Sequence, residues 1–204
     1  RLLKARNNPE FLTCLENASL VLPISKSIIS GAKFLGLPIP IRYNPFSGVV
    51  QILTILESRY KSLYLLGSRK GCLMTAERNV RATLPNLHIV GRYVGYYPKE
   101  VEKDVVEAIF KANPTLVLLS DGIRDDIMWS YKRRNSFGSS IFLYYKDAFG
   151  IFSKRIKRVS SETFNKGKEI WVEIFHNPLK IFLVFPFIWY ILTLVWYRLF
   201  KKLQ

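Results

Sequence analysis

Five short, continuous apolar runs constrain this chain more than any other feature. They are ASLVLPI from Ala18, SLYLLG from Ser62, LHIVG from Leu87, TLVLLS from Thr115 and SIFLYY from Ser140. A strand with one face in water alternates apolar and polar residues. A run that is apolar throughout suits a strand covered on both faces, as in a parallel sheet. Stretches of helical length separate the runs: about Ser47 to Glu57, Leu73 to Leu84 and Lys99 to Ala112. In the last, Val101, Val105, Ala108, Ile109 and Ala112 recur at helical spacing with charged residues opposite. Asn113–Pro114 then stops the helix and launches the next strand. The pattern predicts an α/β domain over residues 1–150, with a mostly parallel sheet and helices on both faces.

The character changes after about Lys146. A basic cluster, SKRIKRVSS from Ser153, precedes a helical stretch to His176, and Asn177–Pro178 breaks the chain before Ile181–Tyr197. That last run is almost wholly apolar and is bracketed by Lys180, Arg198, Lys201 and Lys202. At 1.5 Å per residue it spans roughly 26 Å, slightly short of a hydrocarbon core of about 30 Å. Trp189, Tyr190, Trp196 and Tyr197 are residue types that favour the headgroup interface. Residues 151–204 are therefore expected to form a helical, membrane-associating appendage, in which Pro186 should introduce a kink.

Charge points the same way. Lys and Arg number 31 against 15 Asp and Glu, a formal +16, which predicts an anionic partner. No RRM, KH or helix-turn-helix pattern accompanies the charge, so nucleic acid is not the expected partner. The only cysteines, Cys14 and Cys72, read as buried thiols. With two histidines they are too few for a Cys/His zinc site, and no metal centre is expected. The sequence opens on Arg1 and is expected to lack its natural start.

In open α/β sheets ligands bind beyond the carboxyl ends of the strands, and three such ends carry chemistry. Leu65–Gly71, LLGSRKG, runs into a helix; Gly67, Ser68 and Gly71 permit close backbone approach, and Arg69 and Lys70 add positive charge suited to a diphosphate. Gly95, Tyr96 and Tyr97 follow LHIVG and could stack a base. SDGIRDDIMW, from Ser120, holds Asp121, Gly122, Asp125 and Asp126, the tightest carboxylate cluster in the chain. It could supply a general base, hold Mg²⁺, or simply cap a helix. His88 and His176 have no triad or metal partner in sequence and read as structural.

Taken in order, these landmarks resemble the WecG/TagA/CpsF family of bacterial glycosyltransferases. NNPEF and ASLVLPIS stand where the family has an R-x-x-P-E-F-like helix and a V-L-P-D-G-like strand end, and GLPIPIR, Gly36–Arg42, matches G-L-P-x-P-x-R. LLGSRKG matches L-G-G-K-P-G. Glu77 and LPNLHIVGRYVGYY match the segment around Y-P-x-L-x-I-V-G-x-x-x-G-Y-F, the most specific of these likenesses. GIRDDIMW, KRIKRVS and EIWVEIFHNP occupy the places of the later motifs.

The resemblance implies a Rossmann-like domain performing an inverting, metal-independent transfer of N-acetylmannosamine or a related sugar, with no cofactor beyond the UDP-sugar donor. It implies a polyprenyl-diphosphate-linked glycan as acceptor, and the cytoplasmic face of the bacterial inner membrane as the location. Attachment there would be peripheral or through a single C-terminal anchor, with a homo-oligomer possible. It assigns donor contacts to Gly67, Ser68, Arg69, Gly71, Glu77, Gly95, Tyr96, Tyr97 and Gly122. Acceptor contacts fall to Arg42, Lys154, Arg155, Lys157 and Arg158. The chain departs from the family where the catalytic aspartate of Pro-Asp-Gly is expected, reading Pro23, Ile24 and Ser25. Asp125 or Asp126 is then the expected base; the alternative is a catalytically degenerate member serving as a membrane-bound partner or regulator.

Overall fold

The computed structural model describes residues 2–167, 182 and 184–200. His176, Asn177–Pro178 and the flanking Lys180, Lys201 and Lys202 lie outside the described residues. Two compact units appear: Pro45–Arg158, and Arg1–Asn44 together with Val159–Gln204.

The larger unit is a four-stranded sheet and its helices. In chain order these are α4 (Pro45–Ser58), β1 (Ser62–Leu66), α5 (Lys70–Thr83), β2 (His88–Tyr93), α6 (Glu102–Ala112), β3 (Leu116–Leu119), α7 (Met128–Lys132), β4 (Ile141–Tyr144) and α8 (Ala148–Phe152). The strands lie in the order β2-β1-β3-β4 and all three pairings are parallel. The connection order reverses between β1 and β3, so the carboxyl ends of those strands flank a topological switch point.

The continuous apolar runs have a simple cause, because successive side chains on a strand point to opposite faces. Leu63 and Leu65 of β1 and Leu116 and Leu118 of β3 pack with Val49 and Leu53 of α4, Leu73 and Ala76 of α5 and Phe149 of α8. Tyr64, Leu66, Val117 and Leu119 face the other way, against Val105 and Ile109 of α6 and Trp129 of α7. Both faces of the sheet are covered, so polar residues have no place in the central strands. The register of β1 on β2 shifts between Leu63 and Tyr64, where the Tyr64 ring lies against Gly91. The expected helix stop is also present: Asn113 closes α6 in the left-handed conformation, φ 40°, its N–H bonded to the Ile109 carbonyl.

The other unit is helical among its described residues. It comprises α1 (Leu2–Asn7), α2 (Pro9–Glu16), α3 (Lys26–Leu35), α9 (Ser161–Lys166) and α10 (Val184–Phe200). Asn8 caps α2 by accepting from the Phe11 N–H, with Pro9 at the first helical position. Tyr190 of α10 donates to the Ser27 carbonyl at 3.2 Å, and Arg198 to the Phe34 carbonyl at 2.6 Å.

Two expectations are corrected here. The run ASLVLPI forms no strand; residues 20–25 are irregular and leave Leu20 72% and Ile24 41% exposed. An apolar run becomes a strand only beside a free sheet edge; this one has no ladder, only scattered bonds such as Tyr43 N–H to the Pro23 carbonyl at 3.4 Å and Arg42 Nε to the Ile24 carbonyl at 2.6 Å. Nor does Pro186 stand mid-helix: it is the third residue of α10, in the first turn, where its missing N–H is no loss. No helix among the described residues is long and apolar enough to cross a membrane.

Candidate active site at the strand ends

Three loops leave the carboxyl ends of β1, β2 and β3 and are tied to one another through their backbones. The Gly67 N–H donates to the Tyr93 carbonyl at 3.1 Å, Ser68 N–H to Asp121 at 2.6 Å, Gly95 N–H to Ser68 at 2.7 Å and Tyr96 N–H to Gly122 at 2.6 Å. This lacing explains two glycines more directly than a ligand does. A Cβ on Gly95 would stand 2.8 Å from both the Asp121 carbonyl oxygen and the Ser68 nitrogen. Gly67 has φ 130°, and a Cβ there would lie 2.9 Å from the same carbonyl oxygen. Ser68, at φ 60°, is buried beneath the crossing.

The N–H groups of Ser68 and Gly95 are consumed by this lacing. The first turn of α5, at Lys70 and Gly71, instead offers N-terminal N–H groups of the kind that suit an anion. Arg69 precedes that turn without a side-chain cap, and the Arg155 guanidinium stands beside Gly71. Arg69 also lies over the Tyr96 ring, 5.7 Å from its centroid. Lys154 and Lys157 are exposed in the same basic loop, Lys154 at φ 61°. Arg158 is turned elsewhere, donating to Ser47 Oγ at 3.0 Å and covering the Phe46 ring.

Beside this turn, a cleft of about 390 Å³ is lined by Tyr96, Tyr97, Asp121, Gly122, Ile123, Arg124, Asp126 and Lys146. Tyr96 Oη donates to Asp121 Oδ2 at 3.0 Å. That bond, above all, raises the Tyr96 phenol pKa from its ordinary value. Gly122, at φ 79°, lets the Tyr96 ring lie flat against the loop. Neither Asp125 nor Asp126 caps α7, whose N-cap position is Ile127. Both occupy the left-handed region, φ 64° and 50°. Asp125 pairs with Lys132 at 3.3 Å, while Asp126 Oδ1 accepts from Tyr144 Oη at 3.3 Å and faces the cleft.

Sequence reading missed Lys146, which stands after β4 and reaches the cleft only because β4 pairs with β3. Two expected contacts are otherwise engaged. Glu77 is 6% exposed, held by Arg81 at 3.0 Å and Arg92 at 2.6 Å. Arg42, in the helical unit, donates Nε to the Ile24 carbonyl at 2.6 Å, donates Nη1 to the Phe164 carbonyl and lies 3.7 Å from the Phe164 ring centroid.

Beneath the cleft, Trp129 Nε1 donates to Glu102 Oε1 at 3.0 Å, Arg133 pairs with the same carboxylate, and Arg133 Nη1 reaches the Trp129 carbonyl at 3.0 Å. This half-buried network anchors the chain just after the acidic loop to α6. The Tyr97 hydroxyl is buried there with no hydrogen-bond partner. Among the described residues no cluster of His, Cys, Asp and Glu could hold a metal ion.

A parallel, doubly wound sheet with a basic helix N-terminus and a carboxylate-bearing cleft at its switch point defines a Rossmann-like α/β domain. The particular family follows from comparison with known proteins. The Glycosyl transferase WecG/TagA/CpsF family matches residues 1–204, and the chain belongs to that family. It is also similar to the N-acetylglucosaminyldiphosphoundecaprenol N-acetyl-beta-D-mannosaminyltransferase of Bacillus subtilis (strain 168), 19% identical over 171 residues. That alignment covers 84% of this chain and 66% of the relative, so the chain spans a little under two thirds of the relative's length.

Proposed function

We propose that the protein transfers an N-acetylhexosamine of the N-acetylmannosamine type from a UDP-sugar to a sugar carried on polyprenyl diphosphate. Family membership across residues 1–204 is the observation that carries this reading. The Bacillus relative's activity supports the sugar and the lipid-linked acceptor. In this reading the α5 N-terminus with Arg69, Lys70 and Arg155 receives the donor diphosphate. Tyr96 offers a ring face beside it, and the acidic loop 120–126 supplies the proton acceptor. Basic residues Lys154 and Lys157 favour the acceptor diphosphate. Helix α10 works at the lipid surface: none of its residues is buried, and Phe185, Trp189, Leu199 and Phe200 are each more than 60% exposed. At 17 residues it suits the interface better than a span.

The test is UDP release by the full chain in detergent or membranes, from UDP-N-acetylmannosamine or UDP-N-acetylglucosamine. Reactions run with and without a polyprenyl-diphosphate-linked N-acetylglucosamine. Release that depends on the acceptor is expected, faster with the mannosamine donor. No acceptor-dependent release with either donor overturns the proposal.

A further inference from the structure

We infer that Asp121 is the general base of this site and that Tyr96 is its positioning partner; the inference rests on the transferase reading above. Transfer to a sugar hydroxyl needs a proton acceptor within hydrogen-bonding reach of that hydroxyl. Three aspartates share the acidic loop, and their surroundings separate them. Asp125 is paired with Lys132. Asp126 hangs on a left-handed loop residue and is bonded by Tyr144. Asp121 directly follows the carboxyl end of β3, at the switch point, and lines the cleft.

Its backbone is fixed on both sides. The Asp121 N–H donates to the Lys146 carbonyl at 3.1 Å, and its own carbonyl accepts from the Ser68 N–H. Among the described residues its carboxylate makes no ion pair. Tyr96 Oη holds Oδ2 at 3.0 Å; Ser120 Oγ stands 3.4 Å from Oδ1 but donates at 2.7 Å to the Lys146 carbonyl. Oδ1 is thus the oxygen left with capacity to take a proton. The charged groups around it are Lys146 after β4, Arg124 and Asp126 on its own loop, and Arg69 across the Tyr96 ring.

In the step, the acceptor hydroxyl passes its proton to Asp121 as its oxygen bonds to the anomeric carbon. The bond from that carbon to the diphosphate breaks, and its electron pair leaves with UDP. Tyr96, donating to Oδ2, holds the carboxylate aimed so that Oδ1 meets the hydroxyl.

The experiment compares full-length wild type, Asp121→Asn, Asp121→Glu, Asp126→Asn and Tyr96→Phe, with exposed Asp104→Asn as control. Acceptor-dependent UDP release is measured as kcat and KM, and UDP affinity serves as a check on the folded site. Asp121→Asn should lose about 10²–10⁴-fold in kcat with UDP affinity kept, and Asp121→Glu should recover part of it. Tyr96→Phe, which keeps the ring but loses the hydroxyl, should lower kcat several-fold while KM and UDP affinity stay near wild type. An active wild type whose rate survives Asp121→Asn, or whose kcat collapses with Asp126→Asn instead, overturns the assignment and leaves the transferase reading standing. An unchanged kcat in Tyr96→Phe, or a loss confined to KM, removes Tyr96 from its role. A wild type without acceptor-dependent release overturns the transferase reading, and the base assignment falls with it.

Discussion

Single residues at the strand ends carry more than their types suggest. The family resemblance counts Gly95 among the donor contacts, yet a Cβ there would meet the backbones of Asp121 and Ser68 at 2.8 Å. Backbone cannot rotate away as a long side chain can, so Gly95→Ala must prise two loops apart. We expect about 1–3 kcal/mol of lost stability in urea unfolding, together with weakened UDP binding. Tyr97 gives a pH-dependent prediction. Burial first, then the nearby Glu102 charge, raises its phenol pKa. The folded protein therefore holds this proton more tightly than the unfolded chain, whose tyrosines titrate near pH 10. The resulting stability is complete below about pH 10 and is lost as pH rises further toward the folded value. Between pH 8 and pH 10.5, wild type should lose more stability than Tyr97→Phe. At pH 8 the variant should be equal to wild type or slightly more stable, because the hydroxyl it removes has no partner.

At the scale of elements, the four sheet strands were readable because burial on both faces leaves an unbroken apolar run. Helix α6 was readable from its stripe and its Asn113–Pro114 stop. The run at Ala18 carries the same local signal and forms no strand, since pairing depends on a neighbour that a local pattern does not encode. Helix α10 was legible as apolar and aromatic, but its start at Val184, which makes Pro186 a first-turn residue, was not. Its exposed face yields an element-scale prediction. Trp189→Glu with Leu192→Glu should abolish sedimentation of the full chain with vesicles containing anionic lipid, each charge opposing insertion of the apolar face. The circular dichroism of the chain should stay nearly unchanged, because both positions are more than half exposed. Sedimentation equal to wild type would show that α10 is not the lipid-facing element.

Across the whole molecule, the sequence by itself determined the fold class and the family. Each depends on pattern or motif order, which survive without coordinates. It also located the three strand-end loops, because a ligand site in a parallel sheet follows from strand direction. What only the tertiary structure decided is how side chains within those loops divide their partners. Glu77 is absorbed by two arginines and Arg42 by two carbonyls, while Lys132 claims Asp125 and Asp121 is left facing the cleft beside Lys146. Asp121, Asp125 and Asp126 are chemically identical and nearly adjacent in the chain. Their differences arise from groups 25 residues before Asp121 at Tyr96, 7 after Asp125 at Lys132 and 18 after Asp126 at Tyr144. Lys132 lies on α7, close in the chain, but Tyr96 after β2 and Tyr144 in β4 meet the loop only once the sheet is assembled, which is why chemistry at this site is largely a property of the sheet.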